Sequence, residues 1–232
     1  MGDYMIYMIL TAVMSGIGML VSARLKSKFN HYSQIPLSNG MTGGDVAKAM
    51  LRHYGIHDVQ VVPVSGMLTD HYNPANKTVN LSEGVFASNS VAAAAVAAHE
   101  CGHAVQHATS YAWLQMRSKI VPVVNIAAGM QQWLFMIALG AFGTSSNPTI
   151  LLVTIAAFMV TLAFSLITLP VEFDASNRAM AYLDESGFAR GAEQAGAKDA
   201  LWWAAMTYVA AALAALVSVV FLVLKFLAAS RD

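Results

Sequence analysis

Charge is what this chain has least of. Lysine and arginine number 13 and aspartate and glutamate 13, so charged residues make up only 11% of the 232 and cancel to a net charge of zero. No basic surplus is left to steer a polyanion, which argues against a nucleic-acid partner. Cysteine is almost missing too. The one thiol, Cys101, has no partner in the chain, so an internal disulfide is excluded and a reducing compartment suits it. In place of charge there is apolar bulk, 57% of the residues, far outside the composition of a soluble globule. The expected class is a mainly α membrane protein.

Four apolar stretches approach the length that spans hydrocarbon: residues 4–23, 120–142, 149–169 and 202–227. Arg24, Lys26 and Lys28 follow the first stretch, the reverse of a cleavable signal peptide, so it is expected to remain as an anchor. Met1-Gly2 does not read as a myristoylation site, because Ile6 stands where serine or threonine is needed. The positive-inside rule puts residues 24–119 in the cytoplasm, with Arg117 and Lys119 marking the edge of the second span. The uncharged loop from Gly143 to Pro148 is then external, and residues 170–200 return to the cytoplasm. Lys225 and Arg231 fall outside, against the same rule.

Residues 24–119 form the polar part of the chain. Thr42 to Tyr54 carries a capping threonine, Asp45 three residues on, and Gly55 just past its end, which predicts a helix. Val59 to Val64 is short and β-branched, Met67 to Tyr72 can pair with it, and the turn Asn73-Pro74-Ala75-Asn76 leads into Thr78 to Leu81. A small antiparallel sheet is expected, and the edge of such a sheet beside a metal helix can hold a peptide as an added strand. His71 and Tyr72 are its polar oddities. They suit either plain turn chemistry or hydrogen-bond donation to a substrate oxyanion.

The chemistry concentrates in VAAAAVAAHECGHAVQHA, residues 91–108. Its alanines and its lack of proline predict one helix, capped by Ser88 or Ser90. His99 and His103 are then one turn apart on one face, close enough to hold a single tetrahedral ion. Glu100 is rotated onward and is free to take a proton from a water that the ion acidifies, the logic of the H-E-x-x-H metalloproteases. The metzincin extension is absent, since Gln106 and Thr109 stand where glycine and a third histidine belong. His107 is read as a residue at the surface or one that braces a ligand.

A catalytic zinc takes three protein ligands and keeps one position open, so a third ligand must reach the same compartment. PVEFDASNRAMAYLDESG, from Pro170, offers it. Pro170 fits a helix start with Glu172 in the first turn, or else the helix continues the third span. Glu172, Ser176 and Ala179 share a face with Ala175 beside it, and these small residues would let this helix approach the His99 helix. Asp174 points elsewhere; it is the alternative ligand if the helix begins differently, or a brace for a ligand histidine. Arg178 is a candidate partner for a carboxylate or for the transition state.

HECGH followed, after two spans, by EFDAS resembles the YugP-like neutral zinc metallopeptidases of bacterial membranes, and LTDHYNP, TVNLS, AAHECGHAVQ and LPVEFDASNRA fit as well. The resemblance covers residues 1–227. It implies a polytopic gluzincin; with the side of the membrane read from the charges and the metal from the motif, the expectation is a cytoplasmic α+β catalytic domain with Zn2+ as cofactor and a protein or peptide substrate. More distantly the chain is similar to HtpX-like heat-shock membrane proteases and CAAX prenyl proteases, in which E-[FY]-x-A-D supplies the glutamate ligand. That glutamate matches Glu172 and the alanine matches Ala175, but Ser176 stands where those relatives have aspartate. Asp174 is the residue that can compensate.

The leading expectation is a multi-pass membrane zinc endopeptidase acting at the cytoplasmic face. His99, His103 and Glu172 hold the ion and Glu100 serves as general base. An intramembrane protease is disfavoured because residues 91–98 are too few to span the bilayer. A transporter is disfavoured because the spans are nearly free of ionisable residues, with amides only at Asn125, Gln131 and Gln132. The alternative of another class is a non-catalytic zinc scaffold, or an inactive relative that binds clients. Glu100 argues against it, since a structural zinc has a closed shell and no use for a base.

Overall fold

The computed structural model describes residues 3–138 and 147–230. Loop residues 143–146, the end of the second apolar stretch at 139–142, Met1-Gly2 and Arg231 lie outside these. Seven helices and three strands are described: α1 (Asp3–Tyr32), α2 (Gly43–His53), β1 (Gln60–Val64), β2 (His71–Asn73), β3 (Thr78–Ser82), α3 (Glu83–Phe86), α4 (Val91–Ala108), α5 (Ala112–Ala138), α6 (Pro148–Glu185) and α7 (Ala192–Ala229). Four of them, α1, α5, α6 and α7, are long and apolar enough to cross a membrane. The first, third and fourth apolar stretches read from the sequence are inner parts of longer helices, and the second forms the later part of α5 as far as residue 138. In α6 the third stretch and the segment that follows it are one helix running through Pro170, which is therefore not a helix start. A proline costs a helix one backbone bond and is tolerated in long apolar helices where neighbours satisfy the freed carbonyl.

The chain divides into two compact units, Met1–Val21 with Met116–Leu169 and Thr207–Asp232, and Ser22–Gln115 with Pro170–Met206. The first is the apolar one. Leu151, Phe221 and Leu222 are buried there with Tyr7, Phe135 and Phe158 packed against them, and Gln131 hides its amide by donating to the Ala157 carbonyl (2.9 Å).

The second unit carries the motif helix. Ser90 caps α4 by accepting from the Ala93 N–H (3.2 Å), and the alanine run behind it presents side chains so small that α4 is buried along nearly its whole length. Thr42 and Asp45 form a reciprocal capping box on α2. Val46, Met50 and Leu51 of α2 join Val79, Leu81, Val85 and the α4 alanines in one core. The α1 end is tied in by Asp199, which accepts from the Tyr32 hydroxyl (2.7 Å) and pairs with Lys28 (2.7 Å).

The sheet differs from the expected antiparallel one. Its order is β1-β3-β2, with β1 parallel to β3 and β2 antiparallel to it. Met67 to Asp70 does not extend alongside β1. Gly66 and Leu68 take positive φ there (108° and 57°), so the chain turns and only residues 71–73 are extended. The Asp70 carboxylate then accepts from the Ser82 N–H (2.7 Å) at the end of β3. β3 takes the centre because it is the strand with most to bury: Val79 and Leu81 are fully enclosed, while β1 and β2 stay partly exposed at the edges.

Candidate metal centre

Gly102 decides how closely α4 and α6 meet. A Cβ at this position would lie 2.5 Å from the carbonyl oxygen of Ala175, so only a glycine allows the α6 backbone to lie directly against the motif helix. On α6 the facing residues are correspondingly small or inward-directed: Ala175 and Ala179 are fully buried and Glu172 is 2% exposed. The contact aims the Glu172 carboxylate at the two histidines one turn apart on α4.

Ligand atoms of His99, His103 and Glu172 all lie within 4.8 Å of one another. Glu172 Oε2 is 3.3 Å from His99 Nε2 and 3.6 Å from His103 Nε2. Zinc bonds of about 2.0–2.1 Å at tetrahedral angles place neighbouring donor atoms about 3.3–3.4 Å apart. Two imidazoles and a carboxylate at this spacing therefore fit one zinc ion, and they are the donor types that zinc takes in open, three-ligand sites. Burial by itself would lower the pKa of His103, but hydrogen bonding to Glu172 and the charges of Glu100 and Glu172 more than offset it, so that pKa is raised.

The remaining polar groups fall into two sets. On the α6 side, Ser176 Oγ is 3.1 Å from His99 Nδ1, so serine occupies the bracing position. Gln106, fully buried, accepts from His103 Nδ1 (3.0 Å) and donates to the Val171 carbonyl (2.7 Å) and to Asp174 Oδ2 (2.8 Å). Asp174 is thus outside the three-residue cluster and faces Arg178, whose Nε donates to it (2.6 Å); the Arg178 guanidinium also lies over the Tyr111 ring. On the sheet side, the backbone N–H of Tyr72 donates to Glu100 Oε2 (2.9 Å), and the Tyr72 hydroxyl is 2.7 Å from Nδ1 of the exposed His107. His71 is exposed and bonded locally, its Nδ1 2.7 Å from the Thr69 carbonyl. Cys101 is buried among apolar groups, with its thiol directed at the Ala47 carbonyl (3.5 Å) and its pKa pushed up by burial.

Sequence reading missed two of these contacts. Gln106 sits three residues after His103, on the same helical face, and that spacing was the available signal. The Tyr72 amide left no signal, because a backbone donor depends only on where the strand lies.

Comparison with known proteins bears on this cluster. Residues 5–227 match the family described as "Putative neutral zinc metallopeptidase". The chain is 42% identical over 225 residues to "Putative membrane protease YugP" of Bacillus subtilis (strain 168), covering 96% of this chain and 97% of that one. No solved structure matches it.

Proposed function

The chain belongs to this neutral zinc metallopeptidase family, and on that premise we propose that it is a multi-pass membrane zinc endopeptidase that cleaves proteins or peptides at the cytoplasmic face. The observation that carries the reading is the convergence of His99, His103 and Glu172 on one point, with a separate carboxylate, Glu100, next to a ligand histidine and held by the sheet. A structural metal has no use for that separate carboxylate.

His99 and His103 from α4 and Glu172 from α6 hold the ion. Zinc, when bound, supplies a Lewis acid that polarises the scissile carbonyl and acidifies water. Glu100 acts as general base through Oε1, since the Tyr72 N–H takes Oε2, and passes the proton to the leaving amine. β2 is an edge strand, so a peptide added along it would run past Glu100. Gly102 keeps Glu172 in reach, because a wider α4–α6 spacing would withdraw the third ligand.

The test is hydrolysis of casein by the detergent-purified chain before and after chelation. Cleavage is expected to stop when the metal is stripped and to return when zinc is restored. Casein cleavage that survives complete metal removal would overturn the reading. So would zinc-loaded protein that cleaves nothing, and that result would favour a client-binding scaffold.

A further inference from the structure

The buried side chain of Gln106 touches none of the reacting groups, yet its three hydrogen bonds leave it no freedom. Its Nε2 faces two atoms that can only accept, the Val171 carbonyl oxygen at 2.7 Å and Asp174 Oδ2 at 2.8 Å. Turning the amide over would set its oxygen against both of them at the same distances, two acceptor pairs with no proton between them. The amide is therefore fixed with Oε1 toward His103. An oxygen without a proton can only accept, so His103 Nδ1 must carry the hydrogen. In the neutral ring this leaves the lone pair on Nε2, the nitrogen that faces Glu172.

We propose that Gln106 is a positioning residue that presets His103 in the Nδ1–H tautomer, so that Nε2 is ready to bind the metal. Asp174, held by Arg178 (2.6 Å), anchors the amide from α6. The two ligand histidines are thereby treated differently. His99 Nδ1 meets the Ser176 hydroxyl, which can donate or accept and so fixes no tautomer. His103 is the rigid ligand and His99 the adaptable one. The inference rests on the metal-centre reading above, and it adds a residue outside the metal ligands and the base.

Two readouts on purified protein test it, neither of them catalytic. The first is the ring-nitrogen NMR shifts of His103 in zinc-free wild type, at a pH where the ring is neutral, with the signal identified by its loss in His103→Asn. Protonation at Nδ1 is expected. The second is zinc affinity by competition with a chelator, in wild type and in Gln106→Met, which keeps the volume and removes the hydrogen bonds. Orienting groups of this kind are worth roughly 10- to 100-fold in metal affinity, and a loss of that size is expected together with a mixture of His103 tautomers. A wild-type ring protonated at Nε2 overturns the proposal. So does a Gln106→Met protein that melts earlier but keeps the wild-type tautomer and affinity, because Gln106 would then be only a packing residue. Should that variant fail to fold, the wild-type tautomer decides. Wild-type protein that takes up no zinc overturns the metal centre itself, whereas zinc uptake unchanged by Gln106→Met overturns only the role of the glutamine.

Discussion

Glu100→Gln is expected to lower kcat for casein hydrolysis by roughly 10²- to 10⁴-fold, the range that a positioned general base contributes, while zinc content stays at the wild-type level. The two halves of this result come from different parts of the geometry. Glutamine has almost the volume of glutamate, and its side-chain oxygen can still accept from the Tyr72 N–H, so the contact between β2 and α4 is retained. The three donor atoms that converge are those of His99, His103 and Glu172, none of which changes. What is lost is the ability to take a proton. A Glu100→Gln protein that cleaves at the wild-type rate would show that the base lies elsewhere; one that loses zinc would make Glu100 a ligand.

Glu172→Ala is expected to lose zinc, with affinity falling by more than about 100-fold, beyond what is usual for groups that only orient a ligand. Hydrolysis should fall with it and recover in part at high zinc. The carboxylate is almost completely buried and within 3.3 and 3.6 Å of the two imidazoles, and no other acidic side chain joins that cluster among the described residues. Asp174→Ala is the internal comparison. Asp174 reaches His103 only through Gln106, so its removal should weaken zinc binding far less. Equal losses for the two variants, read by the same chelator competition, would contradict the assignment of Glu172 as the third ligand.

The parts of the molecule that were legible in the sequence are those set by local rules. Alanine propensity and a capping serine give α4 the bounds Val91–Ala108, and Thr42 with Asp45 marks the start of α2. Helical spacing alone predicts that Glu172, Ser176 and Ala179 share a face with Ala175 beside it; Glu172, Ala175 and Ala179 are buried, and the half-buried Ser176 meets His99. What local rules do not decide is which strands become neighbours. Val59 to Val64 and Met67 to Tyr72 looked like a hairpin, but the buried residues of β3 claim the centre of the sheet and the positive φ of Gly66 and Leu68 turns the chain away from β1. Gln106 was visible only as the wrong residue for a metzincin. Its place in the site depends on the Val171 carbonyl and Asp174, both far along α6, which follows α4 only after the long apolar α5. Ser176 could be aligned with an aspartate by resemblance, yet only the structure shows it beside His99 while Asp174 serves His103 through an amide.

The measurement that bears most directly on the central claim is zinc-edge X-ray absorption of the wild-type protein purified in detergent. The account predicts two imidazole ligands, the remainder oxygen donors, and no sulfur, since Cys101 points its buried thiol at the Ala47 carbonyl. A zinc environment with a sulfur donor, with a third imidazole closing the shell, or with a single imidazole would contradict a catalytic centre built from His99, His103 and Glu172.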